Sequence, residues 1–258
     1  PEIAVTLSAI ANKPEVPIEE VEVAVSRDPV VAAKIVSVAN SALNARGAAL
    51  SSLRGAITRL GIFQVRDIAF QVVAGTRLFR VPGYSERMKE LFEASQAAGM
   101  LAREIYRARG EISEAAYLCG LLHDIGEAVI LGIIGEASRV RGETPPSLSR
   151  IKIAVDGYHA WIGAWVCKQW KLSDTVTDAI LDHHTPERST DPMQMAYVLA
   201  LADRLLAHAG IGTEWQPITK SAAPLFQALK LSPERAASLL RLAESLNSMR
   251  AEWALPSV

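Results

Sequence analysis

The sequence has only two cysteines, few aromatic residues and no excess of either charge, and each shortage excludes something. Cys119 and Cys167 both fall in apolar helical stretches, which excludes a disulfide scaffold and predicts two buried thiols in a reducing, cytoplasmic setting. Cys119 stands four residues before His123, so a thiolate ligand beside that histidine stays open as a second reading. With 27 basic against 28 acidic residues, net charge gives no reason to expect nonspecific nucleic-acid binding. No signal peptide is visible. The longest apolar run, around Leu118 to Ile134, is broken by His123, Asp124 and Glu127, so no membrane-spanning segment is expected. Strand-like alternation is absent at any length. What is there is 258 residues, 50% hydrophobic and 21% charged, enough to bury a substantial core in one large or two small domains. The chain begins at Pro1, which implies a piece of a longer protein or a trimmed one.

The pattern that fills this frame is helical throughout. Pro14 and Pro17 separate an opening amphipathic segment from a second around residues 18–26. Asp28-Pro29 then reads as an N-cap followed by proline in the first turn. Val31, Ile35, Val38 and Ala39 form the buried face of the helix it starts, opposite Lys34, Ser37 and Ser41. Residues 44–49, with Gly47, read as a loop, and Ser51 or Ser52 caps a helix ending near Gly61. A longer helix is expected over 62–79. Val81-Pro82-Gly83-Tyr84 is a hinge, a long helix exposing many charges spans 85–109, and Gly110 ends it. Then come a helix carrying the His-Asp pair, a loop at 142–147 and helices over 156–170, 173–184 and about 195–206. Asp191-Pro192 repeats the cap arrangement of Asp28-Pro29. A final helix runs from Ser232-Pro233 to about Asn247, and the last ten residues fray.

His123-Asp124 lies in otherwise apolar surroundings and needs partners, because an ionised carboxylate taken out of water is costly unless paired or metal-bound. Either the pair is half of a metal site, or the two groups satisfy each other and nearby backbone. Of the five histidines, four are His123, His159, His183 and His184. His159 shares a helical face with Gly163, Val166, Cys167 and Trp170. His183 shares one with Val176, Ala179 and Ile180, and Asp203 edges the stripe of Met195, Val198, Leu199, Ala202, Leu205 and Leu206. These clusters on the inner faces of different helices read as one site. Separately, residues 41–80 hold six arginines (Arg46, Arg54, Arg59, Arg66, Arg77, Arg80) against one acid, Asp67. They form either an anion- or partner-binding surface or the solvated sides of three short helices.

The order His123-Asp124, His159, His183-His184 and Ala202-Asp203-Arg204 resembles the HD superfamily of metal-dependent phosphohydrolases. The run from Ser26 to Ser41 (SRDPVVAAKIVSVANS), followed by Leu50 to Gly61 (LSSLRGAITRLG), is similar to the HDOD family, a bacterial signalling domain related to those enzymes. The resemblance covers roughly residues 5–205. It implies an all-α, two-lobed fold, with an N-terminal HDOD lobe over 1–81, an HD-like lobe over 82–209 and a helical extension over 210–258. It also implies a site in which His123, Asp124 and Asp203 are core ligands and His159, His183 and His184 bind a second metal or a phosphate. Asp124 is the residue on which turnover would depend. One divalent ion, Mn, Fe, Mg or Zn, or none, is the implied cofactor.

Two departures bear on activity. HD enzymes carry a further histidine ligand on the preceding helix, in a segment resembling Leu91-Phe92-Glu93-Ala94-Ser95, and Ala94 stands at that position. Many also carry a lysine shortly after the His-Asp pair, where this chain has Glu127, expected to repel a phosphoryl group. The sequence therefore reads as a signalling module with a degenerate HD site. It would act through a protein partner, through an additional receiver or output domain, or by sensing a small nucleotide or phosphate. Arg54, Arg59 and Arg66 are the candidate partner surface. The alternative is an active metal-dependent phosphohydrolase.

Overall fold

The computed structural model describes residues 2–41, 44, 50, 52–212 and 221–249. Arg46, Gly47, Ser51 and most of the last ten residues lie outside these. Among the described residues every regular element is helical. The chain divides into two compact units, Pro1–Arg77 with Trp170–Leu172, and Leu78–Gln169 with Ser173–Val258.

The first unit holds α1 (Glu2–Ala11), α2 (Ile18–Ser26), α3 (Pro29–Ala39), α4 (Leu53–Leu60) and α5 (Ile62–Val73). Asp28 caps α3 by accepting from the Val30 and Val31 amides, with Pro29 in the first turn. That removes two of the orphan N–H groups every helix start leaves. Ser52 caps α4 through the Gly55 amide, and Gly61, at φ 78°, turns the chain directly into α5. Leu7, Val21, Val25, Val31, Ile35, Val65 and Ile68 meet in one apolar core. Val38, expected in that core, is only half-buried. The helix expected over 62–79 gives way after Val73 to a π-turn at Ala74–Leu78.

The second unit is built around α6 (Ser85–Arg109), which ends at the left-handed Gly110. It contains α7 (Ala116–Leu122), α8 (Ile125–Arg141), α9 (Leu148–Gln169), α10 (Asp174–Asp182), α11 (Met195–His208), α12 (Ala223–Ala228) and α13 (Pro233–Met249). α7, α11 and α13 pack on α6, and α9 lies between α8 and α10. Two glycines let these helices approach closely enough to assemble a site. A Cβ at Gly120 of α7 would come 2.6 Å from Gly99 Cα of α6, and one at Gly126 of α8 would overlap the His159 carbonyl of α9.

α6 exposes many of its charges, Glu86, Lys89 and Arg107 among them, while Arg87 and Glu93 are buried. Two expectations are corrected here. The His-Asp pair does not ride inside one helix but breaks the run into α7 and α8. Asp191 does accept from the Met193 and Met195 amides, yet α11 begins only at Met195, after Gln194 at φ 57°. The segment Ala116–Arg141 has the length and mean hydropathy of a membrane-spanning helix, but 67% of its most apolar window is buried inside the protein.

Candidate metal centre

The break between α7 and α8 shapes the site. Asp124 occupies the N-cap position of α8 without making a side-chain cap, which leaves its carboxylate available to the histidines. His159 projects from the middle of α9, His183 and His184 follow the end of α10, and Asp203 comes from α11. All six residues singled out from the sequence are brought together. His123 Nε2 lies 2.9 Å from Asp203 Oδ1 and 3.1 Å from Asp124 Oδ2. His159 and His183 place Nε2 at 3.4 and 3.6 Å from Asp124 Oδ1. His184 Nε2 is 2.8 Å from His159 Nε2. One ligand atom each from Asp124, His159, His183 and His184 falls within a span of 4.8 Å.

Backbone carbonyls fix the tautomers. His123 Nδ1 donates to Gly120 O at 2.7 Å, His159 Nδ1 to Val155 O at 2.8 Å and His183 Nδ1 to Ile180 O at 2.6 Å. A carbonyl oxygen only accepts, so each Nδ1 carries hydrogen and each Nε2 points inward as the ligating atom. His183 Nε2 is buried with no hydrogen-bond partner among the described residues, and His159 Nε2, an acceptor in this tautomer, lies 2.8 Å from His184 Nε2. A divalent cation would give the orphaned His183 nitrogen its missing partner, and this set of imidazole nitrogens and carboxylate oxygens fits one. Without it, protons take the role. Burial lowers the His123 imidazolium, but Asp124 and Asp203 outweigh it and hold it well above the ordinary histidine value. Burial would likewise raise both carboxyls, and His123 instead keeps them below the usual range.

Glu127 behaves differently from its sequence reading. It is buried and bonded through both oxygens to Arg87, at 2.6 and 2.8 Å. Burial still pushes its carboxyl up, against the Arg87 guanidinium. Its negative charge is therefore matched, and the expected repulsion of a phosphoryl group is largely removed. Sequence reasoning missed Arg87, which lies on a different helix and carries no motif. Arg87, Ala94, His123, Asp124, His159 and Asp203 all line one cavity of about 60 Å³. A water needs roughly 10–15 Å³ of such space, so the cavity has room for an ion with a few waters. It falls well short of the ~300 Å³ and above typical of small-molecule pockets. Ala94 contributes only a methyl group there.

Of the three arginines read as a partner surface, Arg66 does not lie on the surface. Arg66 is buried, paired with Asp67 at 2.7 Å and set over the Phe63 ring. Arg54 is exposed but paired with Glu19 and Glu22, and Arg59 donates to the Ala39 carbonyl at the end of α3. Cys119 and Cys167 are both buried thiols.

Comparison with known proteins decides the family. The HDOD domain model matches residues 1–186. The chain belongs to the HDOD family. A solved HDOD domain protein of unknown function from Geobacter sulfurreducens is 23% identical with a TM-score of 0.74, over 99% of this chain and 93% of that one. A Shewanella amazonensis SB2B protein, named provisionally as a metal-dependent phosphohydrolase, is also 23% identical, with a TM-score of 0.72 over 98% and 91%. One from Marinobacter aquaeolei VT8, named provisionally for signal transduction, is 24% identical with a TM-score of 0.67, over 98% of this chain and 59% of that one. At these identities the likeness establishes the HDOD fold. An uncharacterized Treponema pallidum protein is 25% identical over 228 residues, and the HDOD chain spans 85% of itself but 44% of that relative's length.

Proposed function

We propose that this HDOD chain is a bacterial regulatory module whose HD-type site binds one divalent cation and reports on a small anionic ligand or a signalling partner without turning over a substrate. The observation that carries this reading is the site itself. Asp124, His159, His183 and His184 converge, with the tautomers of His159 and His183 fixed for ligation, while the cavity that Asp124 and His159 line is also lined by Ala94 and has room for little more than a solvated ion. Asp124, His159, His183 and His184 would hold the ion, with His123 and Asp203, paired at 2.9 Å, beside them. The imidazole-rich donor set suits Fe or Zn better than Mg, and its carboxylate also admits Mn. When bound, such a cation supplies Lewis-acid stabilisation to phosphoryl oxygens. Asp203 orients His123, and Arg87 neutralises Glu127 beside them.

A second reading, a metal-dependent phosphohydrolase, is favoured by one observation. The Arg87–Glu127 pair removes the charge that would have opposed a phosphate. Assays with an activated phosphodiester and a panel of cyclic nucleotides, on protein loaded with Mn or Fe, separate the two. No hydrolysis above an Asp124→Asn control is expected, together with a rise in melting temperature on adding phosphate to the metal-loaded form. Turnover that disappears in Asp124→Asn would establish the phosphohydrolase instead.

A further inference from the structure

The face of α9 turned away from the metal centre carries an aromatic stripe that is left exposed among the described residues. Ala154, Tyr158, Trp161 and Trp165 recur at intervals of four, three and four and so share one side of the helix. Tyr158 is 61% exposed, Trp161 60% and Trp165 53%, with Ile153 at the edge 87% exposed. Side chains of this size leave on the order of 500 Å² of apolar surface together, near the top of the ~300–600 Å² found for the largest patch of a typical monomer. An interface of standard size takes about 800 Å² from each partner. The stripe is thus large enough to be the core of one and too small to be all of it.

Gly157, on the same face, supplies a second observation. Glycine inside a helix is destabilising relative to alanine, and a glycine that admits a close neighbour repays that cost. Gly157 admits none among the described residues, since a Cβ built there meets nothing within 4 Å. Ala154 beside it is also exposed. One occupant accounts for both the stripe and the slot. If two copies of α9 pack antiparallel about a dyad midway between His159 and Ala160, Trp165 of each falls opposite Ala154, next to Gly157, and Trp161 falls opposite Tyr158. The outer tryptophans then meet small residues, while the two Trp161–Tyr158 pairs at the centre offer aromatic contacts across the dyad and hold the helices toward the ~10 Å end of the packing range.

We infer that α9 is the homodimerisation surface of this chain, with Trp165 seated over Ala154 and Gly157 of a second copy. Sedimentation velocity on the full chain over a concentration series tests it, with circular dichroism as the control for folding. The wild type is expected to pass from monomer to dimer as concentration rises. Trp165→Ala is expected to weaken association by roughly thirtyfold or more, as loss of a central aromatic anchor does. Gly157→Leu, which fills the slot while favouring the helix, is expected to weaken association while leaving the helical spectrum unchanged. A wild type that stays monomeric throughout overturns the inference, whether the stripe then proves to bind lipid vesicles, another protein or nothing. A dimer that both substitutions leave intact overturns it as well.

Discussion

Arg87 and Glu127 carry most of what the structure adds at the scale of single residues. A carboxylate buried near Asp124 would be untenable alone, and the bidentate pair with Arg87 is what makes it tolerable. Arg87→Met leaves that carboxylate unpaired and is expected to lower stability by roughly 3–5 kcal/mol. Arg87→Met combined with Glu127→Leu is expected to recover most of the loss, as measured by urea denaturation. Equal losses in the single and double variants would show that Arg87 acts through packing alone. The cysteines give a simpler expectation, because burial pushes the Cys167 thiol up to about 12 and keeps the thiolate away at neutral pH. Neither thiol should react with a disulfide reagent at pH 8 in the native protein, and both should react in denaturant. Fast labelling of the native form would contradict the buried placement. The six site residues were legible in the sequence because histidines are few and helical spacing gives their faces. Arg87 was not, since an arginine on a long polar helix looks like any solvated charge until its partner is known. Arg66 misled for the same reason, its partner Asp67 being the adjacent residue.

At the scale of elements, the caps were readable because they are local. Asp28-Pro29 and Ser52 act within three residues of themselves, and Asp28→Ala is expected to cost about 1 kcal/mol of stability in a denaturant titration. A loss indistinguishable from zero would mean the capping bonds contribute nothing. What was not readable depended on neighbours. The break at His123-Asp124 follows from tertiary contacts that turn Asp124 toward four histidines, and neither proline nor glycine stands at the break itself to announce it. The delayed start of α11 depends on Gln194 adopting a left-handed conformation after Asp191. Gly126 ties the elements to the site, for α8 can lie on the His159 carbonyl only without a side chain there. Gly126→Ala is expected to cost about 3 kcal/mol and to weaken metal retention with it, by moving Asp124 away from His159. Full metal content with an unchanged melting temperature would refute that coupling.

For the whole molecule, the all-α fold followed from patterning, while the assembly of the centre from α7, α8, α9, α10 and α11 rests on contacts between distant segments. All five helices belong to the second compact unit, so removal of the cation should act there first. Hydrogen exchange with and without chelator is expected to show loss of protection around His123, His159 and His183 and little change in α1 to α5. The most direct test of the centre is elemental analysis of protein purified without chelator or affinity metal, beside a variant carrying Asp124→Ala and His183→Ala. Close to one Mn, Fe or Zn per chain in the wild type and none in the variant is the expected result. Absence of metal from both, persisting after the wild type is soaked in each ion, would contradict a metal centre and leave these histidines and aspartates as a hydrogen-bonded network.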